Sequence, residues 1–299
     1  TGLPSYQHFN WVFTEVSQSV TLIQYWNGQL PEQKPPSYQK TGKGKPGPSR
    51  QLSMENELLL TLMKLKLNLI EDFLAFLFDI SSSTVSRIFS TWVVLLSQEL
   101  QPLIHWPTLE EIKDDAFPVC FKKWPNLRSI IDCFEIFSEK PSHVDANNKI
   151  FSAYKNHSTV KFLISVTPGG SISFLSKPTG GNMSDKQIVL ESEFINKFKP
   201  GEQCMADKGF RCEGEFLEGG VELILPPFAE KGKQFSQEKS QKNRDVAHAR
   251  IHVERVIGRV RDYLILKGPI PITQLDLIGP ITTTCCALTN LKPSVVPLV

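Results

Sequence analysis

Apolar positions in residues 236–264 recur with the period of an α-helix. With about 100° per residue and Glu254 set at zero, Val246, Ala249, Val253, Val256, Ile257, Val260 and Leu264 fall at roughly −60° to −160°. His248, His252, Arg255 and Arg259 fall on the other side, at roughly +100° to +160°. Glu254 stands on the border between an apolar and a basic stripe, with Arg250, Gly258 and Arg261 near its meridian. A carboxylate there has two readings: part of a metal site facing a phosphate, or one end of an Arg250–Glu254 i,i+4 ion pair worth a few tenths of a kcal/mol.

The same periodicity predicts helices earlier in the chain. Residues 4–30 read as a short helix with an aromatic face (Phe9, Trp11, Phe13, Tyr25, Trp26), followed by a Pro/Gly/Lys-rich linker to about residue 50. Residues 53–103 are helical in pattern, with Ser53 as N-cap. Within them one helix ends near Phe78, Asp79-Ile80-Ser81 forms a turn, and a second helix runs from about Ser82 to Leu96. Val85, Ile88, Phe89 and Trp92 face inward; Ser83, Thr84, Ser86, Arg87 and Ser90 face out. An exposed face of small hydroxyls and one Arg suits a major groove, with Thr84 and Arg87 as contacts, although helical hairpins of this kind also occur in proteins that bind nothing.

From residue 128 the period shortens to that of strands. LRSIIDCFEIF, VKFLISVTP and SISFLSKP are β-rich, and Pro168-Gly169-Gly170 joins the last two as a hairpin. A helix from about Ser184 to Phe198, a strand in QCMADKGF, a short helix after Gly209, a strand in ELILP and the helix of 236–264 follow. This order predicts an α/β fold, a mixed sheet with flanking helices, preceded by a small all-helical region. The expected divisions are 1–50 (helix and basic linker), 51–105 (helix-turn-helix) and 106–299 (the α/β domain).

The 299 residues, 40% hydrophobic and 21% charged, can hold one large domain or two ordinary ones. No apolar run approaches the length of a membrane span. The chain opens on Thr1 with no basic-then-apolar leader, so a partial or excised product without a secretory signal is expected. Six cysteines without C-x2-C spacing read as reduced, buried thiols of a cytosolic or nuclear protein. The net charge of +2 hides two basic zones. One is residues 33–50, with Lys43 and Lys45; the other is 239–262. Each reads as a polyanion footprint or as a solvated surface.

Three acids stand where chemistry would place them. Asp132 interrupts the apolar run SIIDCF, where a charge is costly without a cation. Asp207 follows a later strand, at the carboxyl end where α/β sheets site their ligands. Glu254 rides the helix that would cross the sheet. Carboxylates converging from two strands and a helix repel one another unless Mg²⁺ or Mn²⁺ holds them, and such ions keep positions open for water and phosphate. Two ions can clamp both oxygens of an in-line phosphoryl displacement.

IIDCFEIF, GGNMSD, MADKGF and HVERVIGRV, with the preceding helix-turn-helix and the opening TGLPSYQHF, resemble the successive motif blocks of PIF/Harbinger-type DDE-superfamily transposases. The resemblance spans nearly the whole chain. It implies an RNase H-like fold, Asp132, Asp207 and Glu254 as catalytic metal ligands, and two bound ions, Mg²⁺ or Mn²⁺. Asp185 matches a recurrent position and reads as a supporting residue or as part of a helix N-cap with Ser184; Lys208, beside Asp207, is a second supporting residue. Lys155 and His157 are expected DNA or active-site contacts, or members of an ordinary polar turn, and Arg250, Arg255 and Arg259 join the DNA-binding set. The implied activity is a DNA endonuclease and strand-transferase acting on double-stranded DNA in the nucleus, with room for a homodimer or an accessory DNA-binding protein and no membrane. The rival readings are a host-adopted descendant that binds DNA without cutting and a structural nuclear adaptor.

Overall fold

The computed structural model describes residues 1–20, 50–114, 117–142, 144–227 and 236–297. Lys43, Lys45, Tyr25, Trp26 and the rest of the basic linker lie outside the described residues. The chain divides into two compact units. The first comprises Thr1–Pro102, Tyr263–Ile265 and Asp276–Leu291, and the second the remainder. The division therefore differs from the expected one: a late helix, Ile278–Asn290, belongs with the N-terminal helices, against which it packs.

In the first unit, α1 (Tyr6–Val20) buries Val12 and Val16 completely, whereas Trp11 is 40% exposed. The expected aromatic face is thus not the buried one, because the i,i+4 valine pair points inward. Helix α2 (Met54–Leu67) starts at Ser53, whose hydroxyl accepts the Asn56 N–H. Helix α3 (Glu71–Phe78) ends at Asp79 in the left-handed region, φ 51°. Ser81 then caps α4 (Ser82–Glu99) by accepting the Thr84 N–H. Val85, Ile88, Phe89 and Trp92 are buried as the pattern predicts. Helix α4 runs past Leu96, and every residue from Thr91 to Leu96 is buried, with Ile278–Asn290 packed against the helix; Thr284 Oγ1 donates to the Val93 carbonyl at 3.4 Å. The Trp92 indole donates to the buried Glu57 carboxylate at 2.7 Å, which also pairs with Arg50 at 2.8 Å. A buried carboxylate needs such partners to avoid its desolvation cost.

The second unit holds α5 (Leu109–Asp114), β1 (Leu127–Phe137), α6 (Val144–Ile150), β2 (Phe151–Ser152), β3 (His157–Val166), β4 (Ile172–Leu175), β5 (Thr179–Gly180), α7 (Asp185–Glu191), β6 (Gln203–Met205), α8 (Glu213–Glu218), β7 (Glu222–Ile224) and α9 (Gln237–Val260). The sheet runs β3, β1, β6, β7, with β2, β4 and β5 pairing along the outer edge of β3. Strand β1 is antiparallel to β3 and parallel to β6, and β6 is parallel to β7. This mixed sheet with flanking helices is the RNase H-like arrangement expected. On one face Ile131, Leu163, Ile188, Val189, Phe194 and Phe216 form a core roofed by α7 and α8; on the other, α9 packs across β1 and β3 through its buried Val246–Val260 stripe. The helix expected over Ser184–Phe198 is broken at Glu193, φ 53°, into α7 and a 3₁₀ turn. Strands β2 and β5 and helix α6 were not legible as separate elements; two-residue strands carry no period. Among the described residues no helix is long and apolar enough to cross a membrane.

The paired glycines of GGNMSD have a packing cause. A Cβ on Gly180 would stand 2.0 Å from the Lys149 carbonyl oxygen, and one on Gly181 2.0 Å from Thr159 Oγ1. Gly258, by contrast, has open space around it on α9. Gly180→Ala is therefore expected to cost about 3 kcal/mol or more, since backbone must shift. Gly258→Ala should stabilise by up to about 1 kcal/mol through helix propensity. Urea denaturation of the two variants checks this, and equal effects at both positions would contradict the packing account.

Candidate active site

The placement of Asp132 follows from the alternation of β1. Ile131 and Cys133 turn toward the α7/α8 core, so Asp132 turns to the α9 side, in register with Ile164. Its Oδ1 accepts the Cys133 N–H at 2.8 Å. Burial pushes its carboxyl from the usual 3.8 up to about 6; the Cys133 N–H and the Arg250 charge pull it down, while Asp207 and Asp185 push it further up. Asp207 lies just beyond β6, the parallel neighbour of β1, so both acids emerge on adjacent strands. Its Oδ1 accepts the Lys208 N–H at 2.7 Å and faces Arg250 Nη1 at 3.1 Å. Glu254 comes from α9, with Oε1 3.8 Å from Arg250 Nη2. The i,i+4 pair is thus present, and its guanidinium bridges two of the three expected ligands.

Asp132, Asp207 and Glu254 line one cleft of about 740 Å³. Glu135, Asp185, Lys161 and Arg261 share it, and Phe151, Tyr154 and Lys155 line it as well. Lys161 pairs with Asp185 at 2.7 Å and donates to the Met183 carbonyl at 3.1 Å. Ser184 caps α7 in a reciprocal capping box with Gln187, so Asp185 is not needed as the cap and is free to face Lys161. Thr159 Oγ1 donates to Glu135 at 2.6 Å, and Arg261 Nη2 donates to the Glu135 carbonyl at 3.2 Å.

The three acids share a cleft, yet among the described residues no group of three His, Cys, Asp or Glu side chains is gathered closely enough to hold an ion. Arg250, its side chain only 12% exposed, sits between Asp207 and Glu254 as a cation with two partners. Arg250, expected to face DNA, faces the carboxylates instead.

The basic stripe of α9 is also narrower than the helical wheel implies. His248 and Arg255 are exposed, but His252 is buried against the Phe121 ring (5.6 Å between centroids), with Cys120 Sγ 3.7 Å from Nε2. Burial, then Arg255 and His248, lower its proton affinity, so it is neutral at neutral pH. Arg259 is half-buried and donates to the Pro293 carbonyl. Leu264 lies beyond α9, on a 3₁₀ turn, 39% exposed. Lys208 contributes its backbone N–H to Asp207, and its side chain does not line the cleft. Lys155 Nζ stands 4.7 Å from the Tyr154 ring centroid at the cleft, and Tyr154 is 86% exposed. His157 is exposed and sits edge-on to Phe137 at 5.3 Å, outside the cleft lining. In the helical unit Arg87 is exposed on α4, its Nε donating to the Ser83 carbonyl, and Thr84 is half-buried with Oγ1 2.8 Å from Ser81 Oγ. Sequence reasoning missed Glu135, Lys161 and Arg261. Lys161 was findable: it is a charge inside the apolar run VKFLISV, the same signal that marked Asp132.

Comparison with protein-family models matches residues 131–290 to the DDE superfamily endonuclease and residues 50–102 to the helix-turn-helix of DDE superfamily endonuclease. The first match includes Asp132, Asp207 and Glu254 and covers more than half of the chain. No curated protein matches it.

The raised proton affinity of Asp132 has a stability consequence. The folded protein holds a proton that the unfolded chain has released between pH 3.8 and about 6, so ion-free stability should fall as pH rises through that window. At about 1.4 kcal/mol per pH unit, the loss is at most roughly 3 kcal/mol. Asp132→Asn should therefore melt higher than the parent at pH 7 without divalent ions, and the gap should close by about pH 4. Parallel melting curves across that range check the sign; an Asn variant less stable at pH 7 would show Asp132 to be stabilised as an anion.

Proposed function

This chain belongs to the DDE superfamily of endonucleases, and from that premise we propose that it cuts and transfers DNA phosphodiester bonds, with Asp132, Asp207 and Glu254 holding Mg²⁺ or Mn²⁺ ions, two at a time. The observation that carries the proposal is the shared cleft: acids from two adjacent strands and a crossing helix line one opening. The donor set fits such ions. All three ligands are hard carboxylate oxygens, and a cation already stands between Asp207 and Glu254. When bound, the ions supply a nucleophile from water or a 3′-hydroxyl and neutralise charge on the reacting phosphate.

The protein's own groups prepare that event. The Cys133 and Lys208 N–H groups hold Asp132 and Asp207 from behind and orient one oxygen of each. Lys161 fixes Asp185 at the cleft, so that acid supports the site without being a ligand. Lys155 and Arg261 offer cations to the phosphodiester chain, and Tyr154 an exposed ring. On the outer side of α9, Arg255 and His248 are exposed and available to a phosphate backbone. The α3/α4 helix-turn-helix is the sequence-reading part of the proposal, through Thr84 and Arg87. A nuclear location belongs to the same reading. A second reading, DNA binding without cleavage, is favoured by one observation: Arg250 already meets the charge of Asp207 and Glu254 with a cation of the protein's own.

Glu254→Gln separates these readings. The change preserves size and helix propensity and leaves the buried valine stripe untouched. Under the proposal Mn²⁺-dependent nicking is lost, while DNA affinity stays level or rises slightly because an anion leaves a basic surface. Undiminished nicking by the variant would end the catalytic role of Glu254.

The two DNA-contacting regions should also differ in kind. Arg255→Gln is expected to weaken binding to all sequences alike and to flatten its salt dependence by about one charge. Thr84→Ala or Arg87→Ala should instead shift preference among sequences. Binding to a randomised duplex pool at two salt concentrations reads both, and the reverse pattern would exchange the two roles.

A further inference from the structure

We infer that Arg250 is an internal counter-cation that a divalent ion must displace before Asp207 and Glu254 can serve as its ligands. This inference rests on the metal-dependent reading above. Arg250 precedes Glu254 by one turn of α9, so the two side chains share a face of the helix. Nη1 lies 3.1 Å from Asp207 Oδ1, and Nη2 lies 3.8 Å from Glu254 Oε1. A divalent ion binds carboxylate oxygen at about 2.0–2.6 Å, so an ion shared by these two acids would contend for the space the guanidinium holds. Two cations at such separation repel strongly in a partly desolvated site.

The resting pose is also incompletely satisfied. Arg250 Nε is buried with no hydrogen-bond partner among the described residues, although the side chain is almost wholly out of solvent. A buried unpaired donor is costly, so leaving the pose recovers part of what breaking the two ion pairs loses. The carboxylates themselves are open to solvent, 50% for Asp207 and 58% for Glu254, so an ion can approach them while Arg250 is still in place. Arg250 is thereby a positioning residue: it keeps two like charges together in the ion-free protein and sets a threshold for ion entry.

The test is Mn²⁺ binding by the full chain without DNA, followed by calorimetry and by the paramagnetic signal of free Mn²⁺, so that no catalytic step enters. Four proteins are compared: the parent, Arg250→Gln, Arg250→Lys, and Arg244→Gln, which removes an exposed charge from the same helix. Arg250→Gln should bind Mn²⁺ about five- to tenfold tighter, the scale of losing one partly exposed ion-pair cation. Arg250→Lys, a point charge without the fork that spans both acids, should fall between that variant and the parent. Arg244→Gln should stay within about twofold, as a distant screened charge does. Equal or weaker binding by Arg250→Gln, with the parent binding normally, overturns the inference and leaves the metal-dependent reading standing. Absence of Mn²⁺ binding in both the parent and Arg250→Gln sinks that reading together with the inference. If Arg250→Gln fails to fold, as far-ultraviolet dichroism would reveal, Arg250→Lys decides instead: tighter binding than the parent supports displacement, and equal or weaker binding refutes it.

Discussion

Mutual repulsion among carboxylates in one cleft is the constraint around which the second unit is arranged. Asp132, Glu135, Asp185, Asp207 and Glu254 all line the same opening. Each is answered locally. Asp185 has Lys161, Glu135 has a threonine hydroxyl, and Asp207 and Glu254 share Arg250. Asp132, the most buried of the three proposed ligands, has among the described residues a backbone N–H and the charge of Arg250 to relieve it, and burial raises its carboxyl to about 6. The apolar alternation of β1, with Ile131 buried on the opposite face, is what puts it there.

The sheet exists to bring those acids together. Parallel pairing of β1 with β6 places Asp132 and Asp207 on neighbouring strands, and α9 crosses the same face with Glu254 on its border. The buried stripe Val246–Val260 fixes the rotation of α9, so the position of Glu254 is set by valines rather than by the charges around it. The close approach of β5 to α6 and β3, which admits no Cβ on Gly180 or Gly181, leads the chain from β5 into α7 beside the cleft, with Asp185 at its first turn.

Much of this was legible in the sequence, and what was not has a common physical cause. Period and capping are local, and they gave the strands of 127–175, the Ser53 cap, the turn before α4 and the buried face of α9. A helical wheel, however, assigns a side to a residue without naming what covers that side. His252 therefore read as part of a basic stripe, although Phe121 and Cys120 cover it. The return of Ile278–Asn290 to the helical unit was invisible for the same reason: an apolar helix does not name its partner. Arg250 is the sharpest case. Its wheel position beside Glu254 was right, yet only the placement of Asp207 beyond β6 shows that the guanidinium turns inward.

Charge counting links the ion-free site to the proposed working one. Fully ionised, Asp132, Asp207 and Glu254 carry three negative charges, and Arg250 cancels one of them. One divalent ion added to the three acids leaves a small negative excess, which could still hold a guanidinium nearby. Two divalent ions balance the three acids only together with one phosphodiester, and a guanidinium left in place would then be surplus positive charge in a desolvated site. Full ion occupancy, departure of Arg250 and arrival of DNA would on this account favour one another, because each removes the charge imbalance that the others create.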